Sequence, residues 1–385
     1  MKKIMFYCQH ILGIGHLVRS MEIVRGLVQY FHVCFINGGE VIQGFDVPSG
    51  IEIINLPAIK TDSEFKELQV VDDWQNIEQV KSLRSSQLLE TFEQVQPDIL
   101  VIELFPFGRR RFAFELIPLL EKAKNSQTKV VCSLRDIVVT KQERSRHEQK
   151  VCKLMNQYFD LLLIHGDPKF IRLEESFTRI EDIKAEVYYT GYVVQVPENR
   201  QIINSDRPTI LVSVGGGRFG HELLDCVIQA AAILEKTLPH HIQIFTGPFM
   251  PENKFLQLQA MAEGQTNITI DRYTNQLMAY MKQADLSISM SGYNTTMNIL
   301  MTGVRAMLLP FTGNDDREQT IRANKLAQLG VVKAISQADL KPEILANKIV
   351  DYLNQKTTTI NFDFQGVEKT KIVLQNLLQK QTTAA

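Results

Sequence analysis

Short apolar runs of strand length alternate with stretches of helical periodicity along almost the entire chain. This alternation is typical of α/β proteins with parallel sheets, because a connection between parallel strands usually contains a helix. The pattern predicts two series of strands. The first comprises residues 3–8, 32–37, 51–55, 99–102, 129–133, 161–164 and 186–189, and the second comprises residues 209–214, 241–245, 268–270, 286–290, 306–309 and 331–334.

The chain length favours two domains, since 385 residues exceed the usual size of one. Residues 196–208, VPENRQIINSDRP, separate the two strand series and have the proline-containing, polar composition of a linker. We therefore expect an N-terminal domain over 1–195 and a C-terminal domain over 209–360. Both should be Rossmann-like and face each other across a cleft. Residues 70–94 should form a long polar helix, and a helix within 361–385 should pack back on the N-terminal domain.

The composition excludes several classes of function. Hydrophobic residues make up 44% of the chain and charged residues 22%, as in ordinary globular proteins. A net charge of −1 removes the attraction on which general nucleic-acid binding depends. No stretch approaches the ~20 apolar residues that span a bilayer, and the first residues, MKKIMFYCQH, are interpreted as a strand and not as a signal peptide. The five cysteines form no CxxC pair, which favours reduced thiols and a cytoplasmic protein.

The strongest local signal is a glycine triplet after the predicted strand ILVSV. In an open parallel sheet, ligands bind beyond the carboxyl ends of the strands. Gly215, Gly216 and Gly217 would let a phosphate approach backbone N–H groups, and a helix N-terminus after them would favour an anion. Arg218 would add a charge-assisted hydrogen bond. This predicts a diphosphate site, and the alternative is a plain turn that needs glycine for its backbone angles.

The same residues spell GxGxxG, which is also the fingerprint of dinucleotide-binding domains. A nicotinamide dinucleotide site needs an acidic residue at the end of the next strand to hold a ribose hydroxyl. The next strand is HIQIFTGP, which carries no carboxylate. The sequence therefore disfavours a nicotinamide cofactor.

In the N-terminal half, polar residues follow several predicted strands. His16 follows a Gly-x-Gly turn at the start of a helix, where a histidine can act as a general base or donate to phosphate; the alternative is a capping or packing histidine. Glu103 and Asp136 each end a strand and are alternative catalytic bases. The residues expected to line the acceptor or cleft side are Gly13, Gly15 and His165.

The segment from Phe105 to Arg111 combines phenylalanines with three consecutive arginines. If the aromatic rings are exposed, this segment would bind an anionic acceptor or the surface of a membrane. A solvated basic turn beside a core helix is the alternative interpretation.

The C-terminal half resembles the donor domain of family 28 glycosyltransferases, best known from the peptidoglycan N-acetylglucosaminyltransferase. The resemblance covers about residues 207–332 and rests on VSVGGGRFG, RYTNQLMAYMKQADLSISMSGYNTTMNIL, GVRAMLLPF and DDREQTIRAN. The N-terminal GIGHLVRSMEIVRGL is similar to the family's glycine-rich first turn. The loops PFG, SLRDI and HGDP favour a less characterised bacterial branch. The resemblance implies the GT-B fold.

The resemblance also implies a donor site. Gly215 to Arg218 would cradle the diphosphate, and the backbone near Tyr273 and Thr274 would hold the base. Ser291 and Gly292, with Asn294 in the same loop, would approach the phosphates and the sugar. The residues that would face the sugar hydroxyls are Asp316, Glu318 and Gln319. Two positions depart from the family pattern, because Asn298 replaces a ribose-binding glutamate and Gln195 replaces an arginine.

The function implied by the resemblance is an inverting transfer of a sugar from a nucleotide-sugar, with UDP-sugars favoured, to an unidentified acceptor hydroxyl. The nucleotide-sugar is a substrate, so no cofactor is expected. The chain has no Asp-x-Asp motif, so no metal is expected either. Two alternatives remain. One is an epimerase or hydrolase that acts on the donor alone, and the other is a non-catalytic nucleotide-sugar-binding subunit, which the Asn298 departure favours.

Overall fold

The structure is a computed structural model that describes residues 1–11, 14–61, 68–71, 76–138, 144–195, 206–313 and 317–382. The chain divides into two compact units. The first unit is Met1–Val194 with Phe362–Ala385, and the second is Gln195–Asn361. Each unit is built around one parallel sheet with helices packed against it, which confirms the predicted α/β class.

The strands of the first unit are β1 (Lys2–Cys8), β2 (Phe31–Asn37), β3 (Ile51–Asn55), β4 (Ile59–Thr61), β5 (Leu68–Val70), β6 (Ile99–Glu103), β7 (Lys129–Arg135), β8 (Leu161–His165) and β9 (Glu186–Tyr189). Seven of them form a parallel sheet in the order β3-β2-β1-β6-β7-β8-β9. β4 and β5 pair separately as an antiparallel hairpin.

The strands of the second unit are β10 (Thr209–Ser213), β11 (His241–Phe245), β12 (Ile268–Asp271), β13 (Leu286–Met290), β14 (Ala306–Leu309) and β15 (Lys333–Ala334). They form a parallel sheet in the order β12-β11-β10-β13-β14-β15. In both units the chain builds the sheet outward in one direction and then restarts beside the first strand. This is the strand order of a Rossmann fold.

The described helices are α1 (Gly15–Leu27), α2 (Ile77–Val95), α3 (Ala113–Lys124), α4 (Arg144–Tyr158), α5 (His221–Leu234), α6 (Glu252–Met261), α7 (Leu277–Gln283), α8 (Tyr293–Thr302), α9 (Glu318–Gln328), α10 (Pro342–Leu353) and α11 (Gly366–Thr382). None of them combines the length and the apolar composition needed to cross a membrane.

The two faces of the first sheet bury different residues of the same strand. On β1, Met5 and Tyr7 join the core under α2, α3 and α4, whereas Ile4 and Phe6 join the core under α1 and α11. This alternation follows from the two-residue period of a strand. Because both faces are covered, the central strands are apolar almost throughout, as parallel strands usually are.

The final helix packs on α1, inside the first unit. A Cβ atom on Gly26 would lie 2.1 Å from Cγ1 of Val367, so glycine at this position allows the two helices to approach closely. Val373 and Leu374 are buried in the core below. Ile372, by contrast, is 43% exposed.

The segment before β6 differs from the prediction. The expected helix over 70–94 begins only at Ile77, where the side chain of Asn76 accepts a hydrogen bond from the N–H of Glu78 at 2.9 Å. Val70 instead belongs to the hairpin strand β5. The hairpin strands are three residues each and half polar, so they leave no periodic signal in the sequence.

A buried ion pair fixes the loops that follow the first strands. Arg84 on α2 and Glu115 on α3 are wholly buried and bond through two pairs of atoms, at 2.7 and 2.8 Å. The same guanidinium donates to the carbonyl oxygen of Gly38 at 2.9 Å and to the side chain of Gln9 at 2.7 Å. A planar guanidinium with its donors satisfied holds each of these groups in place.

Candidate functional site

Each sheet has a point at which the strand order reverses, and ligands of open parallel sheets bind at such points. In the first unit it lies between β1 and β6, which pair side by side. In the second unit it lies between β10 and β13. Residues predicted from the sequence lie at both points.

His16 and Glu103 meet at the reversal point of the first unit. His16 is the second residue of α1, and its Nδ1 lies 2.7 Å from Oε1 of Glu103, the last residue of β6. Arg19, one helical turn after His16, also donates to this carboxylate oxygen. Burial opposes ionisation of Glu103, but His16, Arg19 and Arg109 outweigh it and hold the pKa of Glu103 at about 2.

The ionised partner fixes the tautomer of His16. Burial lowers the pKa of His16 to about 3, although Glu103 opposes the shift, so the ring is neutral at ordinary pH. An ionised carboxylate only accepts hydrogen bonds, so Nδ1 of His16 carries the proton. Nε2 therefore keeps a lone pair, and 18% of the side-chain surface remains exposed. A substrate hydroxyl can donate to this nitrogen.

Two other predicted residues of the first unit are closed to substrate. Nε2 of His165 lies 2.8 Å from the Ser133 hydroxyl, and its Nδ1 lies 2.9 Å from the Thr190 hydroxyl. His165 and Asp136 have no exposed surface. This burial does not favour the expected acceptor-side role of His165 or the expected catalytic role of Asp136. Both residues anchor the ends of β7 and β8.

Glu103 is equally buried, and its carboxylate contacts His16 and Arg19. Gly15 is the first residue of α1. Gly13 lies outside the described residues.

The predicted membrane contact is wrong for its phenylalanines. Phe105 and Phe107 are 1% and 4% exposed, and Phe107 packs against Phe177 with ring centroids 5.0 Å apart. The loop turns through Leu104 and Arg109, both with positive φ, and this turn brings the rings into the core. The exposed part of the segment is basic and not apolar.

In the second unit, the glycine loop packs against a neighbouring loop, backbone to backbone. A Cβ atom on Gly217 would lie 2.4 Å from the carbonyl oxygen of Thr246, and one on Gly247 would lie 2.4 Å from the carbonyl carbon of Gly216. The N–H of Phe249 donates to the Gly216 carbonyl at 2.9 Å. Packing alone thus requires glycine at 217. Gly215 is different, because it is exposed and a Cβ there would meet no atom within 4 Å.

The start of α8 lies at the same reversal point. Gly292 caps this helix without a side-chain hydrogen bond, and a Cβ on Gly292 would also meet no atom within 4 Å. Uncapped N–H groups at a helix N-terminus attract anions. Ser291 is buried and its hydroxyl donates to the Gln319 carbonyl at 3.2 Å, so it holds the loop. Asn294, in the first turn, is partly exposed.

Of the remaining predicted donor residues, Arg218 directly follows the glycine loop, whereas Tyr273 and Thr274 follow the edge strand β12. The Arg218 guanidinium stacks on the ring of Phe249, 4.6 Å from its centroid. Tyr273 and Thr274 follow β12 and are partly exposed, and the Thr274 hydroxyl accepts from the N–H of Gln276 at 3.0 Å.

Glu318 and Gln319 bond within the protein. The carboxylate of Glu318 is 3% exposed and accepts from Nη2 of Arg322 at 2.8 Å. Oε1 of Gln319 accepts from the N–H of Phe311 at 3.0 Å. In this arrangement both side chains shape the loop after β14. Sequence reasoning missed Arg322, although its i,i+4 spacing from Glu318 is a recognisable signal. Asp316 lies outside the described residues.

The two departures from the family pattern are in contact. Nδ2 of Asn298, on α8, donates to Oε1 of Gln195 across 3.3 Å. Asn298 is 4% exposed.

A cavity of ≈ 200 Å³ lies beside the glycine loop and towards β14. Phe219 and Phe311 line it, with ring centroids 4.6 Å apart, together with the side of Arg218. Neither phenylalanine was predicted as a site residue. Among the residues that the structure describes, no cluster of three or more His, Cys, Asp or Glu side chains could hold a metal ion.

The C-terminal part of the chain matches a known domain family. Residues 209–371 match the glycosyltransferase family 28 C-terminal domain. A Brucella suis protein named UDP-N-acetylglucosamine--N-acetylmuramyl-(pentapeptide) pyrophosphoryl-undecaprenol N-acetylglucosamine transferase is 31% identical over 153 residues, which are 39% of this chain and 39% of that protein. The chain thus aligns with less than half the length of this relative.

Solved structures match the whole chain at low identity. MurG of Acinetobacter baumannii is 16% identical, with 99% of this chain and 100% of that chain covered and a TM-score of 0.57. The UDP-GlcNAc 2-epimerase of Methanocaldococcus jannaschii is 12% identical, with 98% and 99% covered and a TM-score of 0.61. At such identities the likeness establishes only the fold. It shows that the chain has the GT-B fold, and residues 209–371 of this fold match the glycosyltransferase family 28 C-terminal domain.

Proposed function

We propose that this protein transfers a sugar from a UDP-sugar to a hydroxyl group of an acceptor, with inversion at the anomeric carbon. The observation that carries the proposal is the pairing of His16 with Glu103 at the reversal point of the first unit. A neutral histidine whose Nε2 makes no hydrogen bond to the described residues, beside an ionised carboxylate, is suited to accept a hydroxyl proton. The family 28 domain and the UDP-sugar in the relative's name support the donor.

In the proposed reaction, the acceptor hydroxyl donates to Nε2 of His16 while its oxygen attacks the anomeric carbon. Because the pKa of His16 is about 3, proton transfer is late, when the attacking oxygen has already become acidic. The Glu103 carboxylate then stabilises the imidazolium through its bond to Nδ1. A single displacement of this kind inverts the anomeric carbon.

The leaving diphosphate would bind in the second unit. Its proposed ligands are the exposed backbone at Gly215, the N-terminus of α8 at Gly292 and the Arg218 guanidinium. These donors stabilise the developing negative charge in the way that a metal ion does in other transferases. We therefore propose that the reaction needs no metal ion. Five buried, unpaired cysteines support a reducing compartment, the cytoplasm.

The test is UDP release from a panel of UDP-sugars, measured with and without candidate acceptor alcohols and with a chelator present. We expect release that depends on an acceptor, that survives the chelator and that the His16→Ala variant loses. Equal release without an acceptor would contradict transfer and identify a hydrolase or an epimerase. Tight UDP-sugar binding without turnover, with every acceptor tried, would instead identify a binding subunit.

A further inference from the structure

Arg19 and His16 approach the same oxygen of Glu103 from α1. His16 is the second residue of this helix and Arg19 lies three positions later, so the two side chains are neighbours on the helix surface. Nδ1 of His16 lies 2.7 Å from Oε1 of Glu103, and Nη2 of Arg19 donates to the same atom. Nη2 also lies 3.4 Å from Nδ1, so the three groups form a closed triangle.

The carboxylate of Glu103 is held through this one oxygen. Glu103 has no exposed surface, and its other oxygen, Oε2, is buried and makes no hydrogen bond to the described residues. The side chain of Arg19 is 2% exposed, which limits competition from water for Oε1. A buried carboxylate stays ionised only when donors or positive charges stabilise it. Of the two donors at Oε1, Arg19 is the one that carries a charge at neutral pH, because His16 is neutral.

The other titratable groups around this pair include two that are positively charged at neutral pH. The groups are Cys8 on β1, Cys132 and Arg135 on β7, His165 on β8 and Arg109 in the loop after β6. Burial raises the pKa of both thiols, that of Cys8 to about 12, and lowers the pKa of His165 to about 3, so these three are neutral. Arg109 acts on Glu103 through its charge. Among the described residues, Arg19 is the cation bonded directly to this carboxylate.

The charge of the carboxylate decides which nitrogen of His16 carries the proton. An ionised Glu103 only accepts hydrogen bonds, so Nδ1 is protonated and Nε2 keeps the lone pair. If Glu103 takes up a proton from solvent, its O–H can donate to Nδ1, and the proton of the neutral ring then lies on Nε2. In that state Nε2 is a donor and cannot accept the proton of a hydroxyl group. A base at this position therefore depends on an ionised Glu103.

We propose that Arg19 is a positioning residue that keeps Glu103 ionised and thereby keeps the lone pair of His16 on Nε2. That this lone pair serves sugar transfer rests on the proposed function; the effect of Arg19 on the tautomer does not. The guanidinium also fixes the direction of the carboxylate, because it holds the same oxygen that orients the ring.

The experiment compares Arg19→Met and Arg19→Lys with the unmodified protein and with a matched control, Arg25→Gln. Methionine fills part of the arginine volume without a charge or a donor. Arg25 lies on the same helix, and its guanidinium pairs at the surface with Asp46 at 2.9 Å. The measurements are kcat for UDP release from about pH 5 to pH 8, and the affinity for UDP.

The variants should differ in the pH dependence of kcat and not in UDP affinity. In Arg19→Met, kcat should fall by about 10-fold per pH unit below the raised pKa of Glu103. In the unmodified protein and in Arg25→Gln it should stay constant above about pH 4, because the pKa of Glu103 is about 2 and that of His16 about 3. Arg19→Lys should be intermediate, because an ammonium group keeps the charge but not the planar fork of a guanidinium.

A second measurement does not depend on turnover. Nitrogen-15 NMR of the histidine rings distinguishes the two neutral tautomers, and the His16→Gln variant identifies the signals of His16. We expect the Nδ1-protonated form in the unmodified protein and in Arg25→Gln, and a growing Nε2-protonated form in Arg19→Met as the pH decreases. If no UDP-sugar is turned over with any acceptor, the proposed function is wrong, and the NMR result still decides the role of Arg19.

A constant kcat and an unchanged tautomer in a folded Arg19→Met variant would overturn the proposal, and so would an equal change in Arg25→Gln. Thermal unfolding without ligand shows which variants fold. If Arg19→Met does not fold, Arg19→Lys decides, and a pH profile and tautomer identical to those of the unmodified protein would then overturn the proposal.

Discussion

Asn298 and Gln195 are hydrogen-bonded to each other through their side-chain amides, with 3.3 Å between Nδ2 and Oε1. They are the two positions at which the sequence departs from the family pattern, where the resemblance implies a glutamate and an arginine. On that resemblance, a neutral pair would stand here in place of a charged pair. In this chain the pair joins α8 to the segment before residue 196.

This contact predicts that the two positions are coupled. Asn298→Glu places a carboxylate at a site that is 4% exposed, so the single variant should lower thermal stability. Adding Gln195→Arg supplies the missing countercharge and should restore stability and UDP binding. A double-mutant cycle on the free energy of unfolding should give a coupling of about 0.5–3 kcal/mol. Strict additivity would show that the two side chains act independently.

Of two glycines on the donor side, Gly292 should be needed for UDP binding and Gly217 for the stability of the fold. Gly292→Ala adds a methyl group where no atom lies within 4 Å, so the fold should be unaffected while UDP affinity falls at least 10-fold. Gly217→Ala places the same methyl group 2.4 Å from the Thr246 carbonyl oxygen, so the unfolding midpoint should fall, by roughly 2–4 °C per kcal/mol. Calorimetric titration with UDP and thermal unfolding measure the two effects. Full UDP affinity in Gly292→Ala would remove α8 from the donor site.

The His16–Glu103 pair should control turnover and not donor affinity. His16→Ala should lower kcat by roughly 10²–10⁴-fold, the usual scale for a general base. Glu103→Gln removes the group that raises the pKa of His16, so turnover should fall at every pH. In the unmodified protein, protonation of His16 should cause no fall of kcat above about pH 4, because the pKa of His16 is about 3. A loss of UDP affinity with normal kcat in His16→Ala would make the histidine a phosphate ligand.

The buried histidines should also make the fold sensitive to acid. The pKa of His165 is about 3 in the folded chain, against an ordinary value of 6.5. Between these values the unfolded chain binds a proton that the folded chain does not, so stability falls as pH decreases from 6.5. Each such histidine contributes about 1.4 kcal/mol per pH unit to the slope of the free energy of unfolding against pH. Urea denaturation between pH 4.5 and 6.5 measures this slope, and His165→Gln should reduce it by the contribution of one histidine. An unchanged slope in this variant would contradict the low pKa of His165.

Most of the fold could be predicted from the sequence, because its strands are continuous apolar runs that only a doubly covered parallel sheet produces. The hairpin of β4 and β5 was missed, since three-residue strands such as IKT and LQV carry no periodicity. Secondary structure follows from local sequence, and short strands depend on their tertiary partners.

The site was harder to predict, because a residue type at a strand end does not specify its exposure. His16 lies in the loop-to-helix turn after β1 and His165 is the last residue of β8, yet 18% of the His16 side chain is exposed and none of His165. The difference comes from Ser133 and Thr190, which satisfy both ring nitrogens of His165. The burial of Phe105 and Phe107 could not be predicted for a similar reason, because the positive φ of Leu104 turns this loop towards the core.

The packing of α11 against α1 has a consequence for synthesis on the ribosome. Residues 195–361 form a unit of their own and emerge before the last helix of the first unit exists. During that interval the apolar face of α1 that later meets Val373 and Leu374 stays uncovered. The second unit can therefore fold first, against the usual order from the N-terminus. Nascent chains halted before residue 362 should bind chaperones through the first unit, and release should coincide with the emergence of α11.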